Sequence, residues 1–323
     1  MNVLFCVGKS YFPIYQTMVH RLEEIGVTVN CLMYDQAQNK QTIIRAIGNA
    51  DVYITAVSPA DRDVIDMAPQ LKYILKTGTG LDNIDIDYAT EKGIFVSNAP
   101  GENAQSVAEL AVGLMISASR LIPELDRKTK AGLWLHTSGY ECFGKTVGII
   151  GFGTIGQKIA RMTAAFAMKR LAYGVYRDEA AAKRLDTAFV DLDELLKRSD
   201  YVFISTSLKK TNYHLINAAA LDKMKSSAFL INVSRGALID EAALYDALNQ
   251  KKIAGAALDV FENEPPASPP PDLDNLITTP HIGGTTQESV ARVADVTIEN
   301  VRRFSRGEPL IHLVNEKQLR QTH

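Results

Sequence analysis

Three residues in the C-terminal half have side chains that together suit acid–base chemistry on a small carboxylic acid. Arg235 lies in LINVSRGALID, Glu264 in ALDVFENEPP and His281 in ITTPHIGGTT. A histidine exchanges protons near neutral pH, a neighbouring carboxylate orients its ring, and a guanidinium holds a carboxylate and polarises a carbonyl. Taken singly, each of the three is as readily a surface or loop residue. Together they indicate alcohol oxidation or carbonyl reduction, with Arg235 and His281 also contacting the substrate.

Each of these residues follows an apolar segment that reads as a buried strand. Because the carboxyl ends of parallel strands meet at one edge of a sheet, we expect the three side chains to converge there. Helices separate the segments, which is typical of a parallel sheet covered on both faces. The predicted strands of this half are Val147–Ile150, Arg170–Tyr173, Tyr201–Ile204, Phe229–Asn232 and Ala254–Leu258.

A glycine pattern precedes the three residues and predicts a dinucleotide site. Gly151, Gly153 and Gly156 have G-x-G-x-x-G spacing, follow the strand Val147–Ile150 and open a helix near Thr154. The first glycine permits a tight turn, the second lets the backbone approach a pyrophosphate, and the third allows close packing of helix on strand. The amino end of the helix offers amide groups to phosphate. The predicted cofactor is NAD or NADP.

The acid that would bind the ribose hydroxyls of NAD, about 20 residues beyond the glycines, is missing. The second strand is followed by Gly174, and Arg177 comes soon after. Without a carboxylate nothing selects against a 2′-phosphate, and Arg177 offers it a cation, which favours NADP. The alternative is that Arg177 faces solvent beside Asp178 and Glu179, and this alternative stays open.

The opening third also alternates strands with helices, so we predict an α/β protein with two doubly wound parallel-sheet domains, the second inserted into the first. The expected boundaries are 1–99 plus 286–323 for the outer domain and 100–285 for the dinucleotide-binding domain, with the ligand site in the cleft between them. Predicted helices cover 13–25, 101–120 and about 286–306. A polar stretch with Trp134 and an exposed loop at 265–271 carry no predicted element.

Composition excludes several classes of function. The 323 residues include 35 basic and 37 acidic side chains, a net charge of −2 that offers no field for nucleic acid or an anionic membrane. The apolar stretches are too short to span a bilayer, and the first residues do not resemble a secretion signal, so we expect a cytoplasmic protein. Cysteines lack metal-site spacing, and no metal is predicted. The histidines interpreted as structural or surface residues are His20, His136, His214, His312 and His323.

These motifs together resemble the D-isomer-specific 2-hydroxyacid dehydrogenase family over nearly the whole chain, with KTGTGLDNIDI and NAPGENAQSVAELAVGLM adding to the resemblance. The family implies a flavodoxin-like substrate domain, an inserted Rossmann domain and a homodimer formed through the latter. It makes His281 the acid/base, Glu264 its partner and Arg235 a substrate ligand. Substrate contacts are implied at Lys76, Gly78, Thr79 and Gly80. Implied cofactor contacts, besides the glycines, are Thr154, Ile155, Gly174, Thr206, Val233, Ser234, Asp259 and Gly283, to which the residues themselves add Arg177.

Within this family the chain looks nearest to short D-3-phosphoglycerate dehydrogenases. Those usually carry Arg where this chain has Lys76, and lysine offers phosphate a point charge but no bidentate fork. The glycine at position 174, in place of an acid, instead resembles NADP-using glyoxylate/hydroxypyruvate reductases. A reductase of this kind is the alternative to a D-3-phosphoglycerate dehydrogenase. Glu264 disfavours formate dehydrogenases, and the position of the glycine loop disfavours the L-lactate and L-malate enzymes. A dinucleotide-sensing corepressor is a more distant alternative, because such proteins usually carry extra partner-binding segments.

Overall fold

The computed structural model describes residues 1–319, which form two compact units. The first unit comprises Met1–Asn103 and the chain from Thr285 onward, and the second comprises Ala104–Gly284. The sequence placed these boundaries at 99/100 and 285/286. The last residues of the expected outer domain, 320–323 with His323, lie outside the described residues.

All strands of the described chain pair in parallel. In chain order they are β1 (Asn2–Cys6), β2 (Thr28–Leu32), β3 (Val52–Thr55), β4 (Tyr73–Lys76), β5 (Phe95–Ser97), β6 (Thr146–Ile150), β7 (Lys169–Tyr173), β8 (Thr187–Phe189), β9 (Tyr201–Ile204), β10 (Phe229–Asn232), β11 (Gly255–Leu258) and β12 (Leu276–Thr278).

Helices connect the strands throughout. They are α1 (Tyr15–Glu24), α2 (Tyr34–Gln38), α3 (Lys40–Ile47), α4 (Arg62–Asp66), α5 (Ile86–Glu91), α6 (Ala104–Ser119), α7 (Ile122–Lys130), α8 (Thr154–Thr163), α9 (Glu179–Arg184), α10 (Leu192–Arg198), α11 (Ala218–Leu221), α12 (Glu241–Asn249), α13 (Gln287–Ser305) and α14 (Glu316–Leu319). Single 3-10 turns lie at Lys9–Tyr11, Ala164–Phe166, Lys210–Asn212 and Gly236–Leu238.

The first unit is built on a five-stranded sheet with the order β2-β1-β3-β4-β5, which is the flavodoxin-like order. Apolar side chains from its two faces pack under the helices as separate clusters, one around Leu4 and Ile43 and one around Phe5 and Val293. Val293 lies on α13, so the returning chain completes the core of this unit.

The second unit is built on a seven-stranded sheet with the order β12-β11-β10-β9-β6-β7-β8. Read from β8, this is the 3-2-1-4-5-6 order of dinucleotide-binding folds, extended by one strand. The order places the carboxyl ends of β6, β9, β10 and β11 side by side, and the loops that follow these strands hold the residues singled out by the sequence. The predicted class, two doubly wound parallel α/β sheets, is confirmed.

The structure corrects the sequence analysis after Arg120, where no helix was predicted. Leu121 takes a left-handed conformation (φ 55°) that ends α6, and α7 begins at the next residue. Pro123 near the start of α7 and Gly132 beyond its end were the available signals. The helix is only nine residues long and buries none of them fully, so its apolar face is too short to stand out in the sequence.

No single helix within residues 1–319 is long and apolar enough to cross a membrane. Taken together as one segment bent by 61°, α6 and α7 have the length and apolar composition of such a helix. Much of α6 is, however, buried in the second unit.

Candidate active site

The glycine loop between β6 and α8 has the shape that a dinucleotide requires. Gly151 has φ 96°, and a Cβ there would lie 2.7 Å from the Thr206 Cα. A Cβ on Gly156 would lie 2.2 Å from the Gly151 carbonyl oxygen, so both positions demand glycine. A Cβ on Gly153 would meet no atom within 4 Å, and no side chain of the described chain caps α8 at this residue. Gly153 therefore leaves the first amides of α8 accessible, which fits a pyrophosphate.

The loops after β9 and β10 lie against this glycine loop. The Ser205 hydroxyl donates to the Gly151 carbonyl (2.8 Å), and the Ser234 hydroxyl donates to the carbonyl of Thr206. Thr206, Val233 and Ser234 thus gather at the sheet edge that carries Gly151, as the parallel order requires. Their contacts with a cofactor stay predictions, as do those of Thr154, which is exposed, and Ile155, which packs against the core.

Within residues 1–319, the end of β7, where a carboxylate for the ribose was expected, carries a glycine instead. Gly174 follows β7 directly, and Val175 is 98% exposed. The Asp178 side chain accepts a hydrogen bond from the amide of Ala181 (2.9 Å), so it caps α9. The exposed Arg177 places its guanidinium 5.5 Å from the centre of the Phe189 ring. The contact of Arg177 with a 2′-phosphate stays a prediction.

His281 and Glu264 form a hydrogen-bonded pair at the carboxyl ends of β12 and β11. The distance from His281 Nδ1 to Glu264 Oε2 is 2.6 Å, and Glu264 Oε1 accepts from the amide of Phe261 (3.0 Å). The His281 side chain is 48% exposed. Because Nδ1 faces the carboxylate, Nε2 is the ring nitrogen directed away from it, which is the arrangement of an acid/base histidine.

The charges around Glu264 keep it ionised. Burial would raise the pKa of this carboxyl group, but the hydrogen bond and charge of His281, the Phe261 amide and the charge of Arg235 together hold the pKa below its usual value. A carboxyl group whose pKa is lowered in the folded protein stabilises the fold at pH values above its ordinary pKa. This stabilisation is lost as the pH falls through the lowered pKa. At neutral pH Glu264 is therefore a carboxylate beside His281.

Arg235 is held next to this pair by two features of the loop after β10. Asn232, fully buried at the end of the strand, donates through Nδ2 to the Arg235 carbonyl (2.9 Å) and accepts from the Ser234 amide (3.1 Å). A Cβ on Gly236 would lie 1.8 Å from the Phe261 carbonyl carbon. The Arg235 loop therefore rests directly on the segment that leads to Glu264. The sequence analysis missed Asn232, although a polar residue ending an apolar strand was a signal.

Asp259 has a role that the sequence did not indicate. It is 1% exposed, and its Oδ1 accepts from the Thr279 hydroxyl (2.5 Å) and the Ile282 amide (2.9 Å). Its Oδ2 accepts from the amide of Gly283 (2.8 Å). The carboxylate thus fixes the turn that carries His281, which has a left-handed backbone (φ 52°). The predicted cofactor contacts of Asp259 and Gly283 stay predictions.

The predicted substrate contacts Lys76, Gly78, Thr79 and Gly80 belong to the first unit. Lys76 ends β4 and is only 9% exposed, and its ammonium group donates to the Ala56 carbonyl and to Asn83 Oδ1 (2.7 Å). The Thr79 carbonyl accepts from Asn98 Nδ2 (2.7 Å). This loop is therefore bonded within its own unit at both ends.

Comparison with known proteins identifies the family of the chain. The sequence profile described as D-isomer specific 2-hydroxyacid dehydrogenase, NAD binding domain, matches residues 112–283. D-3-phosphoglycerate dehydrogenase of Methanocaldococcus jannaschii is 39% identical over 314 residues, which cover 96% of this chain but 59% of that protein. Glyoxylate reductase of Korarchaeum cryptofilum is 38% identical over 288 residues, which cover 86% of this chain and 87% of that protein.

The fold has solved counterparts. The crystal structure of D-lactate dehydrogenase from Aquifex aeolicus, complexed with NAD and lactic acid, superposes with a TM-score of 0.84 at 29% identity. The match covers 95% of this chain and 96% of that one. Profile, relatives and structure confirm the resemblance stated from the motifs: this chain belongs to the D-isomer-specific 2-hydroxyacid dehydrogenase family.

Proposed function

We propose that this chain is an NAD(P)-dependent D-2-hydroxyacid dehydrogenase that reduces small 2-keto acids, with His281 as the acid/base. The observation that carries the proposal is the 2.6 Å pair of His281 and Glu264 within reach of the Arg235 charge, at the same sheet edge as the glycine loop.

The chain's own residues supply binding and proton transfer. The nicotinamide cofactor, when bound, supplies the hydride that reduces the carbonyl carbon. Arg235 binds the substrate carboxylate, and protonated His281 gives its Nε2 proton to the carbonyl oxygen, so a hydroxyl group forms. The Glu264 carboxylate stabilises the imidazolium before transfer and keeps Nδ1 protonated after it. In oxidation of a hydroxy acid, neutral His281 takes the hydroxyl proton instead.

Lys76 favours unphosphorylated substrates. Its ammonium group already donates to the Ala56 carbonyl and Asn83, and a lysine in any case lacks the bidentate fork with which arginine binds phosphate. Glyoxylate or hydroxypyruvate therefore suits this loop better than phosphohydroxypyruvate. The similarity to D-3-phosphoglycerate dehydrogenase does not assign a phosphorylated substrate to this chain, because the chain spans only 59% of that relative's length.

Initial rates test the proposal directly. Glyoxylate, hydroxypyruvate, phosphohydroxypyruvate and pyruvate are each measured with NADH and with NADPH. We expect turnover, with a higher kcat/KM for glyoxylate or hydroxypyruvate than for phosphohydroxypyruvate. A protein that binds the dinucleotides but reduces none of the four acids would instead be a dinucleotide-sensing binding protein.

We also propose a preference for NADP, which rests on Gly174 and Arg177. Gly174→Asp introduces the missing carboxylate, and we expect it to change the ratio of kcat/KM for NADPH to that for NADH at least about tenfold toward NADH, because the carboxylate repels a 2′-phosphate. The new Cβ would lie 3.3 Å from the Tyr176 carbonyl oxygen, a tight but local contact. Gly174→Ala makes the same contact without charge and is the matched control. Equal ratios in the two variants would show that charge at this position does not select the cofactor.

We also propose that the chain forms a homodimer through its second unit. Between α7 and β6, several apolar side chains are exposed to solvent. The most exposed of them are Trp134 (80%) and Phe143 (69%), and Leu133 and Leu135 flank Trp134 in the chain. Exposed apolar surface of this kind marks association sites. We expect Trp134→Asp to shift the protein from dimer to monomer in sedimentation velocity, and Phe12→Asp, on an exposed phenylalanine of the first unit, to leave the dimer intact. A monomeric wild-type protein would remove the proposal.

A further inference from the structure

A cluster of ionisable side chains lies next to the candidate active site and supplies no group to the proposed substrate binding or proton transfer. The His214 cluster consists of His214, Asp240, Glu241 and Glu262. His214 Nε2 lies 2.9 Å from Glu262 Oε1, and the same oxygen accepts from the amide of Glu241 (3.2 Å). In return, Glu241 Oε1 accepts from the amide of Glu262. The paired side chains of His214 and Glu262 are mostly buried, 27% and 26% exposed.

The cluster joins the loops that carry Arg235 and Glu264. The His214 amide donates to the Ala237 carbonyl (2.9 Å), so the histidine is fixed to the segment directly after Arg235. Its ring then reaches Glu262, the second residue before Glu264. Between these two connections, Gly236 packs against the peptide of Phe261 and Glu262 with no space for a side chain. His214 therefore bridges the two loops whose separation sets the distance from Arg235 to Glu264.

The His214 ring is held in one orientation. The residue has a left-handed backbone (φ 49°), and its ring stacks on Tyr213 with centroids 4.0 Å apart and planes 19° apart. A stacked ring with one nitrogen on a carboxylate has little rotational freedom. It can therefore transmit position to Glu262, whose backbone leads into the Phe261–Glu264 turn.

The cluster also has the composition of a cation site, because one ligand atom each of His214, Asp240 and Glu262 lie within 4.8 Å of one another. These side chains also have partners in the chain, however. Asp240 accepts from the amide of Ala243 and caps α12, while Glu262 accepts from the Glu241 amide and from His214. The bonds of the cluster thus account for its geometry without an ion.

We propose that His214 is a positioning residue for keto-acid reduction, which acts through Glu262 to hold Glu264 in hydrogen-bonding position against His281. The inference rests on the proposed function. It predicts that replacing His214 lowers turnover only when the Glu264 carboxylate is present. If His214 only stabilised the fold, its replacement would lower turnover equally with and without that carboxylate.

A double-mutant cycle tests this dependence, using the keto acid with the highest kcat/KM in the four-acid panel. Asparagine tolerates the left-handed backbone but is too short to reach Glu262, so His214→Asn removes the bridge without backbone strain. We expect it to lower kcat roughly ten- to a hundredfold with little change in KM, because small displacements of catalytic groups have effects of this size. In a Glu264→Gln background the same substitution should lower kcat by less than about twofold.

Further variants separate position from stability. His214→Gln restores a donor near the position of Nε2 and should recover part of the activity. His20→Asn removes another histidine–glutamate contact (3.2 Å), on the exposed face of α1, and should leave kcat unchanged. Melting temperatures measured for all variants should fall equally when His214 is replaced in either background.

Three results would overturn the inference. The first is an equal fractional loss of kcat with and without the Glu264 carboxylate. The second is loss of wild-type activity in EDTA with recovery on adding Zn²⁺ or Mn²⁺, which would assign the cluster to a metal ion. The third needs no turnover: amide hydrogen exchange in the peptide spanning 259–266 should be faster in His214→Asn than in His20→Asn, and equal rates would contradict a positioning role. A wild-type protein inactive toward all four acids would count against the proposed function, while the exchange measurement would still decide the role of His214.

Discussion

His281→Ala is expected to lower kcat for keto-acid reduction by about two to four orders of magnitude, the usual contribution of a positioned acid or base. Binding of NADH or NADPH should change little, because the ring acts on the proton in transfer and the proposed pyrophosphate site is the glycine loop. Steady-state rates give kcat, and quenching of protein fluorescence on titration with NADH gives the dissociation constant.

The left-handed backbone at His281 calls for a second variant. Alanine in that conformation adds strain, whereas asparagine is one of the residues that adopt it readily. His281→Asn should therefore show the same loss of kcat with a smaller change in melting temperature. If either variant kept wild-type kcat at its optimum pH, the assignment of His281 as the acid/base would be wrong.

The parts of this protein that the sequence predicted are those that depend on neighbours along the chain. The glycine loop needs only a strand, a turn and a helix start within a few residues, and β6, Gly151 and α8 follow that prediction closely. The parallel strand arrangement then brings His281 and Glu264 together by topology, without any local signal of their contact.

The parts that the sequence did not predict depend on partners far apart in the chain. His214 meets Glu262 across 48 positions, and the Asp259 carboxylate bonds to Thr279 across 20. No periodic pattern in the sequence indicates that these distant residues are hydrogen-bonded. Buried polar side chains of this kind depend on hydrogen-bond geometry in three dimensions, so the sequence indicates only a structural or surface role for His214.

Arg235→Gln should lower kcat/KM for pyruvate by about a hundred- to a thousandfold, because loss of one partner of a desolvated charge pair costs about 2–5 kcal/mol. Much of the loss should be in KM, since in the proposed mechanism the guanidinium binds the carboxylate before and during the reaction. Arg235→Lys should recover part of it, because lysine retains the charge but not the two parallel hydrogen bonds.

The role of Arg235 in carboxylate binding has its own control substrate. Methylglyoxal has an aldehyde where pyruvate has the carboxylate, so Arg235→Gln should reduce its kcat/KM far less than that of pyruvate. An equal loss with both substrates would show that Arg235 does not bind the carboxylate.

The pH dependence of activity gives a second readout of the Arg235 charge. The Arg235 charge helps to hold the pKa of Glu264 down, so removing it raises that pKa toward the ordinary value. The acid-side loss of activity should then begin at a higher pH in Arg235→Gln than in the wild-type protein, since Glu264 must stay ionised to support a protonated His281.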